Sequence, residues 1–404
     1  MQRTLPPAIS TGDPGSYAQY AVSERQPRII EQVIEGNRPG EAARTALLAL
    51  AREIREGRVT SPLGNGSVPP ASMTGQERRT WEDAIDVQEG RRWLDLPWYF
   101  AESFFYLKLL AAFGYYAGAA RGRDPFSPQK ERELMDPDGG LAVARRVAAQ
   151  AEAMGEEEGL AFAIHSALWG NRLDLSTFEV DESRRRSVLN SDADSLLVDH
   201  TARAVAALTR ASRAQVLLDN SGPELVCDLL LVDRLLTRSP SVTLHAKKAP
   251  FFVSDATVSD TLRTIDALAG DRDRRVSAVG ERLHGALRSG HLRVLDHWFW
   301  NSPLHFTAFP EDVRTDLARS DILVVKGDAN YRRTLEDRKW DTWLSLDDLA
   351  SYFPAPFLVL RTMKSELVVD VPAEEARRLS RVDPSWMVNG KRGIIRHVSP
   401  RSSS

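Results

Sequence analysis

The stretch Gln215-Val216-Leu217-Leu218-Asp219-Asn220-Ser221-Gly222-Pro223-Glu224 and its continuation through Leu236 decide the reading of this chain. Gln215–Leu218 is short and mostly apolar, as a buried strand requires, and a polar Asp-Asn-Ser-Gly turn follows it. Glu224–Leu236 then repeats apolar residues at helical spacing. The same unit recurs downstream. Val242–His245, Leu292–Leu295, Ile322–Val325 and Phe357–Leu360 read as strands, and Val258–Leu268 and Pro310–Arg319 fit intervening helices. Strand, helix, strand repetition predicts an α/β fold with a mostly parallel sheet covered on both faces.

Upstream the period changes. From about residue 16 to about residue 165 the spacing is helical. Ile29, Ile30, Val33 and Ile34 share a face, and Leu47, Leu48, Ala51 and Ile54 form another stripe. Thr74 and Glu77 have the spacing of a capping box, so a helix is expected after Thr74. Residues 98–116, rich in aromatics and leucines, read as the central helix of this half, and Leu141–Met154 as a further one. Pro and Gly clusters near 62–70 and 122–140 read as loops. Gly64-Asn65-Gly66 is a turn and not a nucleotide loop, because no apolar strand precedes it. The expected organisation is a helical domain over 1–165, an α/β domain over 166–396 and a polar, unstructured tail over 397–404.

Composition narrows the function. The 404 residues hold 53 Lys plus Arg against 56 Asp plus Glu, a net charge of −3. That balance argues against nucleic acid as the main partner. The single cysteine, Cys227, excludes cysteine-based zinc sites and an internal disulfide, and its helical apolar context makes it a core residue. The most apolar stretch, Trp98 to Ala120, carries Glu102, Lys108 and two glycines, so a buried helix is expected and no membrane partner. The N-terminus lacks the apolar core of a signal peptide, so a cytoplasmic location is expected.

Ligands of open α/β sheets bind beyond the carboxyl ends of the strands. Asp219-Asn220-Ser221-Gly222 follows the first strand, Ser254-Asp255-Ala256-Thr257 the second, Asp296 and Asn301 the third. Lys326-Gly327-Asp328-Ala329-Asn330-Tyr331-Arg332 follows the fourth and Arg361-Thr362-Met363-Lys364 the fifth. Asp219, Asn220 and Asp255 offer hard oxygen ligands suited to a divalent cation such as Mg²⁺ or Mn²⁺. Lys326, Arg332 and Lys364 are cations suited to a phosphate. The helix opened by Ser221-Gly222 would turn free N–H groups toward an anion. A metal and cations around one phosphate suit hydrolysis, with Asp255 or Asp328 orienting the water. Each feature alone has a plainer reading. Asn220 and Ser221 can cap a helix, Gly-Asp is a common turn pair, and His245 in an apolar strand is a core histidine. Their coincidence at one sheet edge favours the site.

Leu218 to Leu225, Phe252 to Thr257 and Lys326 to Arg332 resemble hallmarks of the damage-control phosphatase family. Arg361-Thr362-Met363-Lys364 is similar to the Arg-Thr-x-Lys signature of its third, acidic residue methyltransferase-like branch. Ser16 to Asn37, Trp93 to Tyr106 and Leu168 to Ser176 resemble further family blocks. The resemblance implies a helical N-terminal region packed on a Rossmann-like three-layer α/β/α domain. It implies a divalent metal (Mn²⁺, Co²⁺, Ni²⁺ or Mg²⁺) on Asp219, Asn220 and Asp255. It implies substrate contacts from those three, from Asp328, Ala329, Asn330, Tyr331 and Arg332, and from Lys364, with Lys326 as a phosphate cation from the residue reading. The substrate implied is a small phosphorylated metabolite, a sugar phosphate such as fructose 1-phosphate or fructose 6-phosphate. Pro223 and Ala329 depart from the family pattern. Competing readings are an S-adenosylmethionine-dependent carboxyl methyltransferase and a non-catalytic sugar-phosphate sensor.

Overall fold

The computed structural model describes residues 4–64, 66–170 and 195–399. Asn65 of the glycine-flanked turn, residues 171–176 of the third N-terminal family block and residues 400–404 of the tail lie outside the described residues. The first half is helical, as its periodicity predicts. α1 (Tyr17–Tyr20) passes through a π turn, Ala21–Arg25, into α2 (Gln26–Asn37). There follow α3 (Glu41–Glu56), α4 (Gly75–Asp86), α5 (Trp98–Phe113), α6 (Ser127–Met135), α7 (Gly140–Ala151) and α8 (Glu156–Trp169). The Thr74–Glu77 capping box forms, with both reciprocal hydrogen bonds. In α3 the buried stripe is Leu47, Leu50, Ala51 and Ile54, while Leu48 is turned to solvent. One step along a helix rotates a side chain by about 100°, so Leu48 cannot share the face of Leu47.

The second half runs β1 (Leu196–Asp199), α9 (Thr201–Arg210), β2 (Arg213–Leu217), α10 (Pro223–Leu236) and β3 (Ser241–Lys247). It continues with α11 (Val258–Ala269), α12 (Arg274–Ser289), β4 (Leu292–His297), α13 (Glu311–Leu317), β5 (Ile322–Lys326) and α14 (Gly327–Thr334). It closes with α15 (Leu346–Leu349), β6 (Phe357–Thr362), α16 (Ala373–Val382) and β7 (Gly393–Val398). The seven strands form one sheet in the order β1-β7-β6-β5-β2-β3-β4. Five are mutually parallel, and β7 runs antiparallel to β6. The expected mostly parallel sheet is therefore present. β1 and β7 escaped the sequence reading. Val398 and His397, assigned to the polar tail, belong to β7, where His397 pairs with Leu358. Arg396 disguised that strand: it is buried there because Asp347 and Asp370 neutralise it (2.5 and 2.9 Å).

Side chains alternate across the sheet. Ile322, Val324, Leu358 and Leu360 face one core, with α7, α8, α10, α11 and α12. Leu323, Val325, Phe357 and Val359 face another, with Trp298, Phe306, Tyr331 and Trp386. The sequence changes character near residue 165, and the first core runs through that point. A third core holds α2 to α5 together with Phe251 and Val253 from the segment after β3. α5 is buried on nearly all sides, as its composition predicts. Among the described residues no helix is long and apolar enough to cross a membrane.

His245, on β3, is buried with its Nε2 2.5 Å from Gln215 Oε1 and its ring edge-on to Trp300. Burial pulls its pKa down to about 4. Below pH 6.5 the unfolded chain takes up a proton that the folded chain refuses until about pH 4, so this contribution to stability is lost as pH falls through that window. Its size is on the order of 3 kcal/mol. His245→Gln is expected to reduce the fall in unfolding free energy between pH 7 and pH 4.5, measured by denaturant titration; an unchanged fall would refute the assignment.

Candidate active site at the strand ends

The strand order reverses beside β2. The chain passes outward from β2 to β3 and β4, then crosses back to place β5 on the other side of β2. The crevice at such a switch point is where open α/β sheets take their ligands. Asp219 leaves β2 at this position. Past the strand ends, Asn220 and Asp255 form an isolated antiparallel bridge. Ala256 N–H donates to the Asp219 carbonyl (2.8 Å), and Ser221 N–H to the Ser254 carbonyl (2.6 Å). The Ser254 hydroxyl donates to Asn220 Oδ1 (2.6 Å). Backbone pairing thus brings Asp219, Asn220 and Asp255 together, as the sequence reading expected.

The loop that delivers Asp255 is strained. Phe252 and Val253 adopt φ of 51° and 69°, a region costly for bulky and β-branched side chains, about 1–3 kcal/mol each. Helix α5 holds them there. The Tyr106 ring lies 5.1 Å from Phe252, and Tyr99 stacks on it at 6.2 Å. From α6, the buried Lys130 donates to the Asp255 carbonyl (2.8 Å) and pairs with Asp260 (2.8 Å) and Asp124 (2.9 Å).

The electrostatics favour a bound cation. Burial, then Glu224 and Asp255, push the Asp219 carboxyl well above its usual range, against the pull of Lys247 and Lys364. Burial also raises Asp255, opposed chiefly by Lys247 and Lys130. Asp255 Oδ2 lies 3.3 Å from Lys247 Nζ and is buried without a hydrogen bond among the described residues. The Ser221 hydroxyl is likewise buried and unbonded among them. Among the described residues no three His, Cys, Asp or Glu side chains are gathered for a metal. The donor set is two carboxylates and an amide, which fits a hard divalent ion that keeps coordination positions for water and substrate. Asn220 Nδ2 bridges Asp219 Oδ2 (2.7 Å) and Glu224 Oε2 (2.9 Å), and a half-turn of the amide exchanges that nitrogen for oxygen.

The other expected residues divide. Lys326 was read as a phosphate cation, but its buried ammonium reaches Asp228 (3.0 Å), Glu224 (3.3 Å) and the Ala167 carbonyl. It acts as a pillar behind the site. Arg332, also read as a phosphate cation, is buried against Asp337 (2.7 Å) and Glu102, with its guanidinium 3.4 Å from the Trp98 ring centroid. Both are corrections with one cause: each faces buried carboxylates, of which Glu224 and Asp228 for Lys326 and Glu102 for Arg332 come from distant parts of the chain. Asn330 donates to the Lys326 carbonyl (2.9 Å), and the Tyr331 hydroxyl accepts from Val369 N–H (3.2 Å) under Arg361. Asp328 and Ala329 are half-buried. Asp328 accepts from Arg361 (2.8 Å), the Ser365 hydroxyl (2.9 Å) and Lys364 N–H (3.3 Å), which fixes the loop that presents the exposed Lys364. The sequence reading missed Lys247, Lys130 and Glu224 as neighbours of the carboxylates. The position of Lys247 at the end of β3 was a usable signal; Lys130 had none.

Gly327 decides how closely the β5 exit approaches Asp219. A Cβ there would lie 1.9 Å from Asp219 Oδ2, and φ is +81°. Gly290 has a similar φ of +79° with open space around it. Gly290→Ala is expected to cost about 1 kcal/mol by thermal denaturation, and Gly327→Ala clearly more because Asp219 must also move. Equal costs would contradict the contact. Lys326→Met strands Glu224 and Asp228 and is expected to lose roughly 3–5 kcal/mol, whereas Lys364→Ala leaves the melting temperature nearly unchanged. Equal stabilities of the two variants would restore Lys326 as a free cation.

Comparison with known proteins identifies the family and the fold. Residues 21–379 match the family described as "Damage-control phosphatase ARMT1-like domain". The chain is 28% identical over 444 residues to the Damage-control phosphatase ARMT1 of Danio rerio, covering 98% of both chains. It is 26% identical to that of Homo sapiens over 440 residues, with 98% of this chain and 99% of the relative covered. A crystal structure of a DUF89 family protein from Pyrococcus horikoshii shares the fold with a TM-score of 0.50 at 17% identity, covering 95% of this chain and 98% of that one. This chain belongs to the damage-control phosphatase ARMT1-like family.

Proposed function

We propose that this chain is a metal-dependent phosphatase that hydrolyses small phosphorylated metabolites, with sugar phosphates such as fructose 1-phosphate or fructose 6-phosphate as substrates. Family membership supports the reaction. The observation that carries the site is the pair Asp219 and Asp255, buried side by side with too little positive charge between them. Asp219, Asn220 and Asp255 would hold a divalent metal, Mn²⁺, Co²⁺, Ni²⁺ or Mg²⁺. Bound there, the metal supplies polarisation of a phosphoryl oxygen and a lowered pKa for water.

The chain's own groups supply the rest. Lys364 is exposed and within electrostatic reach of Asp219, so its ammonium binds the phosphoryl oxygens next to the metal ligands. The Asp328, Arg361 and Ser365 tie holds that lysine's loop. Lys247 and Lys130 keep Asp255 fixed, so its carboxylate meets the reacting centre already oriented. Water adds to phosphorus, the P–O ester bond breaks, and the alcohol leaves with a proton as inorganic phosphate forms. A net charge of −3 and buried carboxylates at the site suit a small metabolite better than a nucleic acid.

Purified protein is expected to release inorganic phosphate from an aryl phosphate and from fructose 6-phosphate when Mn²⁺ or Co²⁺ is supplied, and to stop when a chelator is added. Asp219→Asn and Asp255→Asn are expected to lower turnover by at least about a hundredfold. They are also expected to abolish the rise in melting temperature that Mn²⁺ gives the wild type, about 2.7 kcal/mol of stabilisation at a hundred times Kd. Undiminished phosphate release in the chelator, or from Asp255→Asn, would overturn the reading.

A further inference from the structure

The helix from Tyr17 to Asn37 is interrupted once, by the π turn Ala21–Arg25. Such turns insert a residue, re-aim the side chains beyond it, and concentrate at functional sites. Arg25 ends this one. Its guanidinium stops 3.8 Å from Glu102 Oε1, outside hydrogen-bond distance, while Glu102 is bonded through Oε2 to Arg332. The Arg25 side chain stays 39% exposed. Tyr17 and Tyr106 lie within its electrostatic reach. The ring of Tyr106 packs 5.1 Å from Phe252, three residues before Asp255. Tyr17 N–H donates to Glu366 (3.1 Å), two residues past Lys364. Two neighbours of Arg25, Tyr106 and Tyr17, therefore reach the two loops that build the site.

Polar atoms nearby in the chain and on α5 are left unbonded among the described residues. Gln26, the next residue, is 3% exposed, yet neither amide atom has a hydrogen bond among the described residues. The buried indole N–H of Trp98, whose ring lies 5.8 Å from Tyr17, also has none among them. Buried polar groups are nearly always bonded, so these unbonded atoms call for a partner. Arg25 and Trp98 need an acceptor, and Gln26 needs both a donor and an acceptor. A hydroxyl is both.

We propose that Arg25, with Gln26 and the Trp98 indole, binds the hydroxyl-bearing organic part of the phosphorylated substrate and sets specificity for polyhydroxylated phosphate esters. This inference rests on the phosphatase reading for its substrate. Lys364 binds the phosphoryl end, and the π turn reads the other end.

The test compares fructose 6-phosphate with p-nitrophenyl phosphate, which has no aliphatic hydroxyls, on the Mn²⁺-loaded full chain. Arg25→Ala is expected to raise KM for fructose 6-phosphate about tenfold, with kcat little changed and p-nitrophenyl phosphate kinetics within about twofold of wild type. Arg25→Lys is expected to recover part of the loss. Gln26→Leu, which keeps the packing volume, is expected to show the same selective defect and carries the test if Arg25→Ala does not fold. Equal losses on both substrates, or no loss on either, would overturn the assignment. If the wild type turns over neither ester, the phosphatase reading has failed on its own, and calorimetric titration of fructose 6-phosphate decides the inference. Binding weakened by Arg25→Ala supports it; equal binding, or none to the wild type, overturns it.

Discussion

Two carboxylates cannot share a buried, low-dielectric crevice without positive charge beside them. Asp219 and Asp255 are forced into that position by backbone pairing beyond the ends of β2 and β3. Lys247 compensates part of the repulsion from one side. The remaining repulsion is the basis of the proposed divalent cation, and much of the surrounding structure serves that arrangement of carboxylates. Gly327 has no side chain because Asp219 occupies the space. Lys326 is drawn behind the site, where it neutralises Glu224 and Asp228 before their charges add to the repulsion.

The helical half acts as the clamp. Phe252 and Val253 keep left-handed backbone angles only because α5 buries their rings and methyls among Tyr99, Tyr106 and the third core. Strain of about 1–3 kcal/mol per residue is small beside the apolar burial around it. Lys130, from α6, ties the same loop by its backbone oxygen. Arg332 links α14 to α5 through Glu102 and Trp98. Asp255 is thus placed by residues far from it in the chain, and the N-terminal helices are part of the site.

Much of this is legible in the sequence. Five strands and the helices α10 and α11 follow from apolar runs and the 3.6-residue period, because a parallel sheet buried on both faces needs continuous apolar strands. β1 and β7 were hidden, since β1 is only four residues long and β7 carries a buried arginine that reads as surface. Leu48 misled for the opposite reason, as an apolar residue left in solvent. Asp219, Asn220 and Asp255 could be read as a set because each directly follows a strand or its short connection.

The sequence by itself determined the layers, the edge of the sheet where polar residues follow the strands, and the oxygen-bearing side chains at that edge. Those properties depend on local period and on residue type, which the chain carries in order. Only the tertiary structure decided which cations are free. Lys326 and Arg332 are cations like Lys364 and, like it, lie at or beyond a strand end. They differ because Glu224, Asp228 and Glu102 come to meet them in the fold. A charge's partner is set by distance in space, and no spacing along the chain encodes a contact between residues 102 and 332.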